Sequence, residues 1–203
     1  MTTVAALEVV APIAAWQAAG LPLVDGEAIV DGIAIRMREP ATDELARIER
    51  WVLADCPTEV TTIDGLPTAR GVPLSSSGRG EGLLAGSRFD HLVVMTSSLE
   101  RTCAAIEGAT AAPLKRIREA GPVRQGFHRL GGLIIEVVET AQVTVPHALF
   151  WGFVLIVDDL HEVCAALGPE LISLPKQAVQ PGRQIATFRQ GAGLGVPTAL
   201  MTP

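Results

Sequence analysis

The sequence predicts an α+β fold assembled from repeated strand–helix–strand units. One observation is self-similarity. Phe89–Ala105 (FDHLVVMTSSLERTCAA) aligns with Phe150–Ala166 (FWGFVLIVDDLHEVCAA). Each segment opens with an aromatic residue and an apolar run, passes a polar pair and a Leu, and reaches Cys-Ala-Ala at the same offset. The second observation is that each segment continues into further short apolar stretches. The third is Gly131-Gly132, a two-residue hairpin turn flanked by strand-like sequence.

Taken in order, the apolar openings read as buried strands, and the stretches after them read as helices. Ser97 with Glu100 forms an S-x-x-E capping box for the first helix. Asp158 or Asp159 caps the second. Strands are expected at Leu114–Glu119, Arg124–Leu130 and Leu133–Glu139. In the later copy Glu170–Leu174, Arg183–Gln190 and Thr198–Met201 take the same places. Each copy is therefore a βαβββ unit, spanning 87–145 and 146–203.

Residues 1–54 read as a weaker third copy. Val4–Val10 is a strand, and Pro12 suits the first turn of a helix that ends at Gly20. Leu21–Val24, Glu27–Val30, Ile33–Arg38 and Ile48–Leu53 are expected strands, with Asp25-Gly26 and Asp31-Gly32 as hairpin turns. From 55 to 86 the pattern gives way to a loop or linker marked by Pro57, Gly65, Pro67, Pro73, Ser75-Ser76-Ser77 and Gly78. The extra unit must bury its apolar face, either over the cup or against its copy in a homodimer. A homodimer is expected.

Composition sets outer bounds. The chain has 203 residues, 48% hydrophobic and 19% charged, which excludes general disorder. Its longest apolar run, Ala148–Val157, is far short of the ~20 residues a membrane helix needs. Glu8 interrupts the first apolar stretch and no basic start precedes it, so neither a signal peptide nor a membrane partner is expected. The net charge of −6 argues against a nucleic-acid partner. The cations are 14 Arg and only two Lys, which favours planar contacts with individual anions over a diffuse basic surface. Cys56, Cys103 and Cys164 are sparse and unclustered, which fits reduced thiols and a cytoplasmic location. Cys103 and Cys164 read as small core residues. His147 and His161 read as solvated.

The hairpin permits a parity argument. With Gly131-Gly132 as the turn, Arg129 faces Ile134, Phe127 faces Glu136 and Gln125 faces Val138. Glu136 then shares a face with Gln125, Phe127 and Arg129, joined by His91, Val93 and Met95 from the opening strand. His128 falls on the other face, toward the helix. In the later unit Arg183, Ile185, Thr187 and Arg189 share one face. Arg189 corresponds to Arg129, and the arginines either clamp a carboxylate or phosphate or pair with surface acids.

Two consecutive βαβββ units resemble the vicinal oxygen chelate superfamily of glyoxalases, bleomycin-resistance proteins and extradiol dioxygenases. The residues that carry the resemblance are Phe89-Asp90-His91-Leu92-Val93-Val94, the helix after Ser98-Leu99, and Leu133-Ile134-Ile135-Glu136-Val137-Val138. The second unit carries it in Trp151-Gly152-Phe153, Val157-Asp158-Asp159-Leu160 and Gln180-Pro181-Gly182-Arg183. It covers about residues 87–203, and the whole chain is similar to glyoxalase-like proteins with an added N-terminal segment.

The resemblance implies paired units curled into a cup that holds a small molecule or a divalent metal (Zn, Mn, Fe or Ni), with ligands on the first and last strands of each unit. Those positions hold His91 and Glu136 in the first unit. In the second they hold Gly152 and the Thr198–Met201 strand, and the N-terminal copy would put Ala5 in the place of His91. Two donors make either a weak, substrate-completed metal site or a metal-free His–Glu pair.

The expected function is a glyoxalase-like protein that acts on or binds a small oxygenated or anionic metabolite. Glu136 is the catalytic candidate, and Gln125, Phe127, Arg129, Arg183 and Arg189 are the substrate contacts. If it is an enzyme, it is a lyase, isomerase or dioxygenase. The alternative is a metal-free module that sequesters its ligand.

Overall fold

The computed structural model describes residues 1–72, 80–121 and 123–203. The Pro73–Gly78 part of the expected linker lies outside the described residues. Two curled sheets account for the fold, which is α+β. The first holds β1 (Thr3–Val10), β2 (Glu27–Val30), β3 (Ile33–Arg38), β4 (Arg47–Ala54), β5 (Thr62–Ile63) and β6 (Leu66–Arg70), with α1 (Ile13–Ala18) after β1. The second holds β7 (Arg88–Thr96), β8 (Arg116–Ala120), β9 (Val123–Leu130), β10 (Leu133–Glu139), β11 (Leu149–Ile156), β12 (Lys176–Gln177), β13 (Gln184–Thr187) and β14 (Thr198–Met201). Helix α2 (Leu99–Thr110) follows β7, and α3 (Leu160–Leu167) follows β11.

The strand order β9-β10-β7-β11-β14-β13 in the second sheet is repeated as β2-β3-β1-β4-β6-β5 in the first. The opening strands pair antiparallel in both sheets (β7 with β11, β1 with β4), and each pairs parallel with the closing strand of its own unit. The chain thus contains four versions of one unit, where the sequence suggested three. The strand expected at Ile48–Leu53 is present as β4, but it opens a further unit instead of closing the first. Among the described residues that unit has no helix and only β5 and β6 after its opening strand. Its short strands lie in a Pro- and Gly-rich stretch, so apolar periodicity did not reveal them.

A second repetition lies in the pairing register. Each opening strand carries one extra residue against its antiparallel partner. Ala5 is skipped between Val4 and Ala6, Glu49 between Ile48 and Arg50, Asp90 between Phe89 and His91, and Trp151 between Phe150 and Gly152. The extra residue breaks the alternation, so it and its successor lie on the same face.

Smaller expectations are also corrected. Ser98, not Ser97, caps α2 by accepting from the Arg101 N–H; Ser97 instead donates to the Val145 carbonyl. Asp159 caps α3 by accepting from the Glu162 N–H. Leu21–Val24 and Glu170–Leu174 reduce to isolated bridges at Val24–Glu27 and Ile172–Phe188. The Asp31-Gly32 turn has φ of 51° and 78°, the doubly positive geometry of a tight hairpin that Asp-Gly accommodates.

The sheets stack through their inner faces into one core. Leu7, Ile35, Trp51 and Leu53 from the first sheet join Leu92, Val94, Ile135, Val137, Phe153 and Leu155 from the second. The apolar face that the sequence assigned to the cup or to a homodimer is therefore covered by the chain's own second sheet, from behind. Trp16 of α1 is fully buried, lies 5.6 Å from the Phe153 ring and donates its indole N–H to the Leu194 carbonyl at 3.0 Å. Asp64 ties the sheets together at the other end. It accepts from Arg101 and Thr102 of α2, and its carbonyl accepts from the Ala148 N–H. Replacing Trp16 with Ala empties a site shared by both sheets and should cost about 3–5 kcal/mol. In urea titrations, near-ultraviolet circular dichroism and fluorescence should still report one transition, because no core remains for either sheet alone.

Candidate functional site in the cup

The cup is the outer, concave face of the second sheet. Simple alternation would put Asp90 and His91 on opposite faces of β7, but the bulge turns both into the cup. Asp90 Oδ2 lies 2.6 Å from His91 Nδ1, and Asp90 Oδ1 accepts from Arg183 Nη1 at 2.7 Å. Arg183 is itself anchored to the Thr202 carbonyl through Nε and Nη2, at 2.8 and 2.6 Å. Burial raises the Asp90 carboxyl, but the hydrogen bonds from His91 and Arg183 together lower it by more, so it stays below the ordinary carboxylate value. Asp90 thereby fixes which ring nitrogen of His91 faces the cup.

That nitrogen, Nε2, lies 3.2 Å from Glu136 Oε2. The other Glu136 oxygen accepts from the Gln125 amide, and Gln125 Oε1 accepts from Arg118 Nε and Nη2 at 2.8 and 2.5 Å. Glu136 is 9% exposed, so its carboxylate is desolvated and depends on these partners. The observed register pairs Glu136 with Phe127, Val138 with Gln125 and Ile134 with Arg129. The result is a connected chain of polar groups from Arg183 through Asp90, His91, Glu136 and Gln125 to Arg118.

This chain divides two cavities. One, of 360 Å³, is walled by Val93, Met95, Val138, Trp151, Val154 and Pro197 and is largely apolar. The other, of 480 Å³, is bordered by Arg116, Arg118, Lys176, Phe127 and Asp90. His91, Gln125 and Glu136 line both. The Arg116 guanidinium lies 4.6 Å from the centroid of the Phe127 ring. A bound molecule can therefore present one end to hydrocarbon and the other to cations, with its middle over the Glu136 carboxylate.

Among the residues proposed from sequence, His91, Glu136, Gln125 and Phe127 meet in the cup. Arg183 is beside it, with its guanidinium engaged by Asp90 and Thr202, so it supports the site instead of offering a clamp. Arg129 is exposed at the strand end, reaching only toward the Gly132 carbonyl. Arg189 donates to the Pro169 carbonyl and borders a separate cavity beside Trp151. Neither Arg129 nor Arg189 borders the two cavities that Glu136 lines. Asp90, Arg116, Arg118 and Lys176 were not anticipated. Asp90 needed the bulge, and the cations needed the curl that brings the β8 and β12 edges to one cavity.

The donor set does not fit a tightly held divalent ion. His91 and Glu136 come from one unit, and Asp90 is turned to His91 Nδ1 and Arg183 instead of supplying a third donor beside them. Their counterparts in the last unit are Gly152 and, by the β11–β14 register, Ala199. A Cβ on Gly152 would sit 2.0 Å from the Pro197 carbonyl oxygen, so no imidazole can project there. In the first sheet the register equates His91 with Ala6, not Ala5, and Glu136 with Arg36. Among the described residues no group of three or more His, Cys, Asp or Glu is disposed to hold a metal.

The remaining histidines and cysteines lie elsewhere. His128 is 1% exposed on the helix side, with Nδ1 3.0 Å from the Ala112 carbonyl. His161 is exposed beside Gln184, and His147 is partly buried against Gly65. All three cysteines are buried, and burial pushes the Cys103 thiol up to about 11. Burial also holds the His128 imidazole below its ordinary value of 6.5, despite the Ala112 hydrogen bond. A depressed folded value means that His128 contributes stability in full above about 6.5 and loses it as pH falls through the folded value. Denaturation between pH 7 and 5 should show stability falling in the parent and a shallower fall in His128→Phe.

No family model matches the sequence, and no curated protein does. Solved structures do match. A mutant of 4-hydroxymandelate synthase from Streptomyces coelicolor superposes with a TM-score of 0.65 at 14% identity, covering 98% of this chain and 92% of that one. Methylmalonyl-CoA epimerase from Mycobacterium tuberculosis gives a TM-score of 0.47 at 13% identity, over 57% of this chain and 87% of that one. A hypothetical protein from Bacillus halodurans gives 0.49 at 15% identity, over 58% and 94%. At such identities the synthase superposition speaks to fold, and it spans both sheets. With its paired βαβββ units curled around a cup, the chain has the vicinal oxygen chelate fold.

Proposed function

We propose that the cup binds a small oxygenated molecule and that Glu136, aided by His91, exchanges a proton with it without a tightly held metal. The observation that supports this is the buried Glu136 carboxylate, held by His91 and Gln125 on the boundary of both cavities. A desolvated carboxylate in that position suits removal of a proton from carbon next to a carbonyl. Glu136 takes the proton, and the electron pair moves onto the carbonyl oxygen. Returning the proton to either face of that carbon gives exchange or isomerisation with no net oxidation. A reaction of this kind is of the isomerase type.

A second reading has one observation in its favour. Both Glu136 oxygens already have partners, as they would in a module that only sequesters its ligand. Incubation in D₂O with short apolar-tailed 2-oxo and 3-oxo acids, followed by proton NMR, separates the two. Catalysed C–H exchange is expected, reduced about 10²–10⁴-fold in Glu136→Gln. Binding of these acids without exchange would establish the sequestering module. Metal content after chelator-free purification without a metal-binding tag should be well below one ion per chain. A stoichiometric ion lost in both His91→Ala and Glu136→Ala would overturn the metal-free reading.

A further inference from the structure

The cations of the cup are grouped at one cavity without an acid of their own. Most other arginines are matched by acids, and Arg129 and Arg189, which are not, reach backbone carbonyls away from that cavity. Arg38 bridges Glu44 and Glu49, Arg50 meets Glu8, Arg101 meets Asp64, and Arg124 meets Glu100, Glu119 and Glu139. Among the described residues Arg116, Arg118 and Lys176 have no ion pair, and all three border the same 480 Å³ cavity. The acids that line this cavity are already engaged, Asp90 by Arg183 and Glu136 by His91 and Gln125. Three uncompensated cations in a chain of net charge −6 are a local inversion of the protein's field.

Their placement adds to this. Arg116 and Arg118 alternate on one face of β8, and Lys176 stands on β12, at the opposite end of the strand order. Only the curl of the sheet brings the two edges to one cavity. Arg116 lies over the Phe127 ring, and the Gln125 carbonyl orients Arg118. A stacked or hydrogen-bonded guanidinium loses less freedom when an anion arrives.

We propose that Arg116, Arg118 and Lys176 form an anion site for the dianionic head of an amphiphilic ligand, whose apolar part fills the neighbouring cavity. The head is a phosphate monoester or a dicarboxylate, since either presents two negative charges to guanidinium forks. The proposal rests on the cup being the substrate site and adds which way round the substrate lies. Its tail points to Val93, Met95, Val138 and Trp151, its head points to β8 and β12, and its reacting carbon lies over Glu136.

Calorimetric titration with inorganic phosphate, malonate, hexyl phosphate and hexanol tests it. One head-group ion should bind, and its identity assigns the head chemistry. Hexyl phosphate should bind more tightly than phosphate, by about fourfold for each methylene that enters the apolar cavity. The charge-removing pair Arg116→Gln/Arg118→Gln, and Lys176→Gln from the opposite edge, should each weaken head-group binding tenfold or more. Lys115→Gln, exposed one residue before β8 and outside the cavity, should not. Absence of binding by both phosphate and malonate would overturn the proposal. So would binding unchanged in the β8 and β12 variants, or weakened equally by Lys115→Gln. Head-group loss with proton exchange intact would remove the anion site alone, and binding intact without exchange would remove the proton-transfer reading alone.

Discussion

A single extra residue near the start of each opening strand decides what every face of this molecule carries. In a regular strand neighbouring side chains point apart. The bulges at Ala5, Glu49, Asp90 and Trp151 each set two consecutive residues on the outer face. At β7 this puts a carboxylate beside an imidazole and leaves Phe89 and Leu92 free to enter the core. Without the bulge, Asp90 would point into the hydrophobic layer between the sheets, where an unpaired carboxylate is costly. The site therefore depends on the same local irregularity that lets the sheet be polar outside and apolar inside.

The two sheets use one topology to opposite ends. In the first, the outer face carries Ala5, Ala6, Ala34, Val52 and Ala54, and ion pairs such as Glu27–Arg36 and Glu8–Arg50. Small side chains and mutually satisfied charges occupy this face. Hydrogen bonds from Arg38 hold the Glu44 carboxyl far below its ordinary value, as expected where each charge has its own partner. In the second sheet the equivalent surface is hollow, and its charges are grouped instead of paired off. The first sheet's main contribution is its inner face, which buries the back of the cup sheet and makes that sheet a rigid platform for its site.

Within the cup, the missing metal donors and the added cations are two sides of one change in electrostatics. A divalent site needs converging anionic or neutral donors. Here the half that would supply them has Gly152 beneath the Pro197 carbonyl, together with Ala199, while the surrounding strands supply guanidinium and ammonium groups. Positive charge is provided by side chains fixed in the fold. Their attraction is for an anion, and in the proposed reaction the Asp90–His91–Glu136 chain handles the proton.

The sequence by itself determined the elements that local chemistry controls. Repeated apolar runs gave the units at Phe89 and Phe150, and Gly131-Gly132 fixed the hairpin register that puts Gln125, Phe127 and Glu136 on one face. The same alternation put His128 against the helix. Periodicity could not reveal the fourth unit, because β5 and β6 are too short to show a period and Pro67 interrupts β6. Tertiary structure alone decided the rest. A bulge is a property of two paired strands, so Asp90 could not be assigned from β7 by itself. The curl of the sheet brought Arg116, Arg118 and Lys176 from opposite edges to one cavity, which Arg129 and Arg189 do not border. Parity along a strand reports which face a side chain is on, whereas closure of a curved sheet decides which of those side chains can meet.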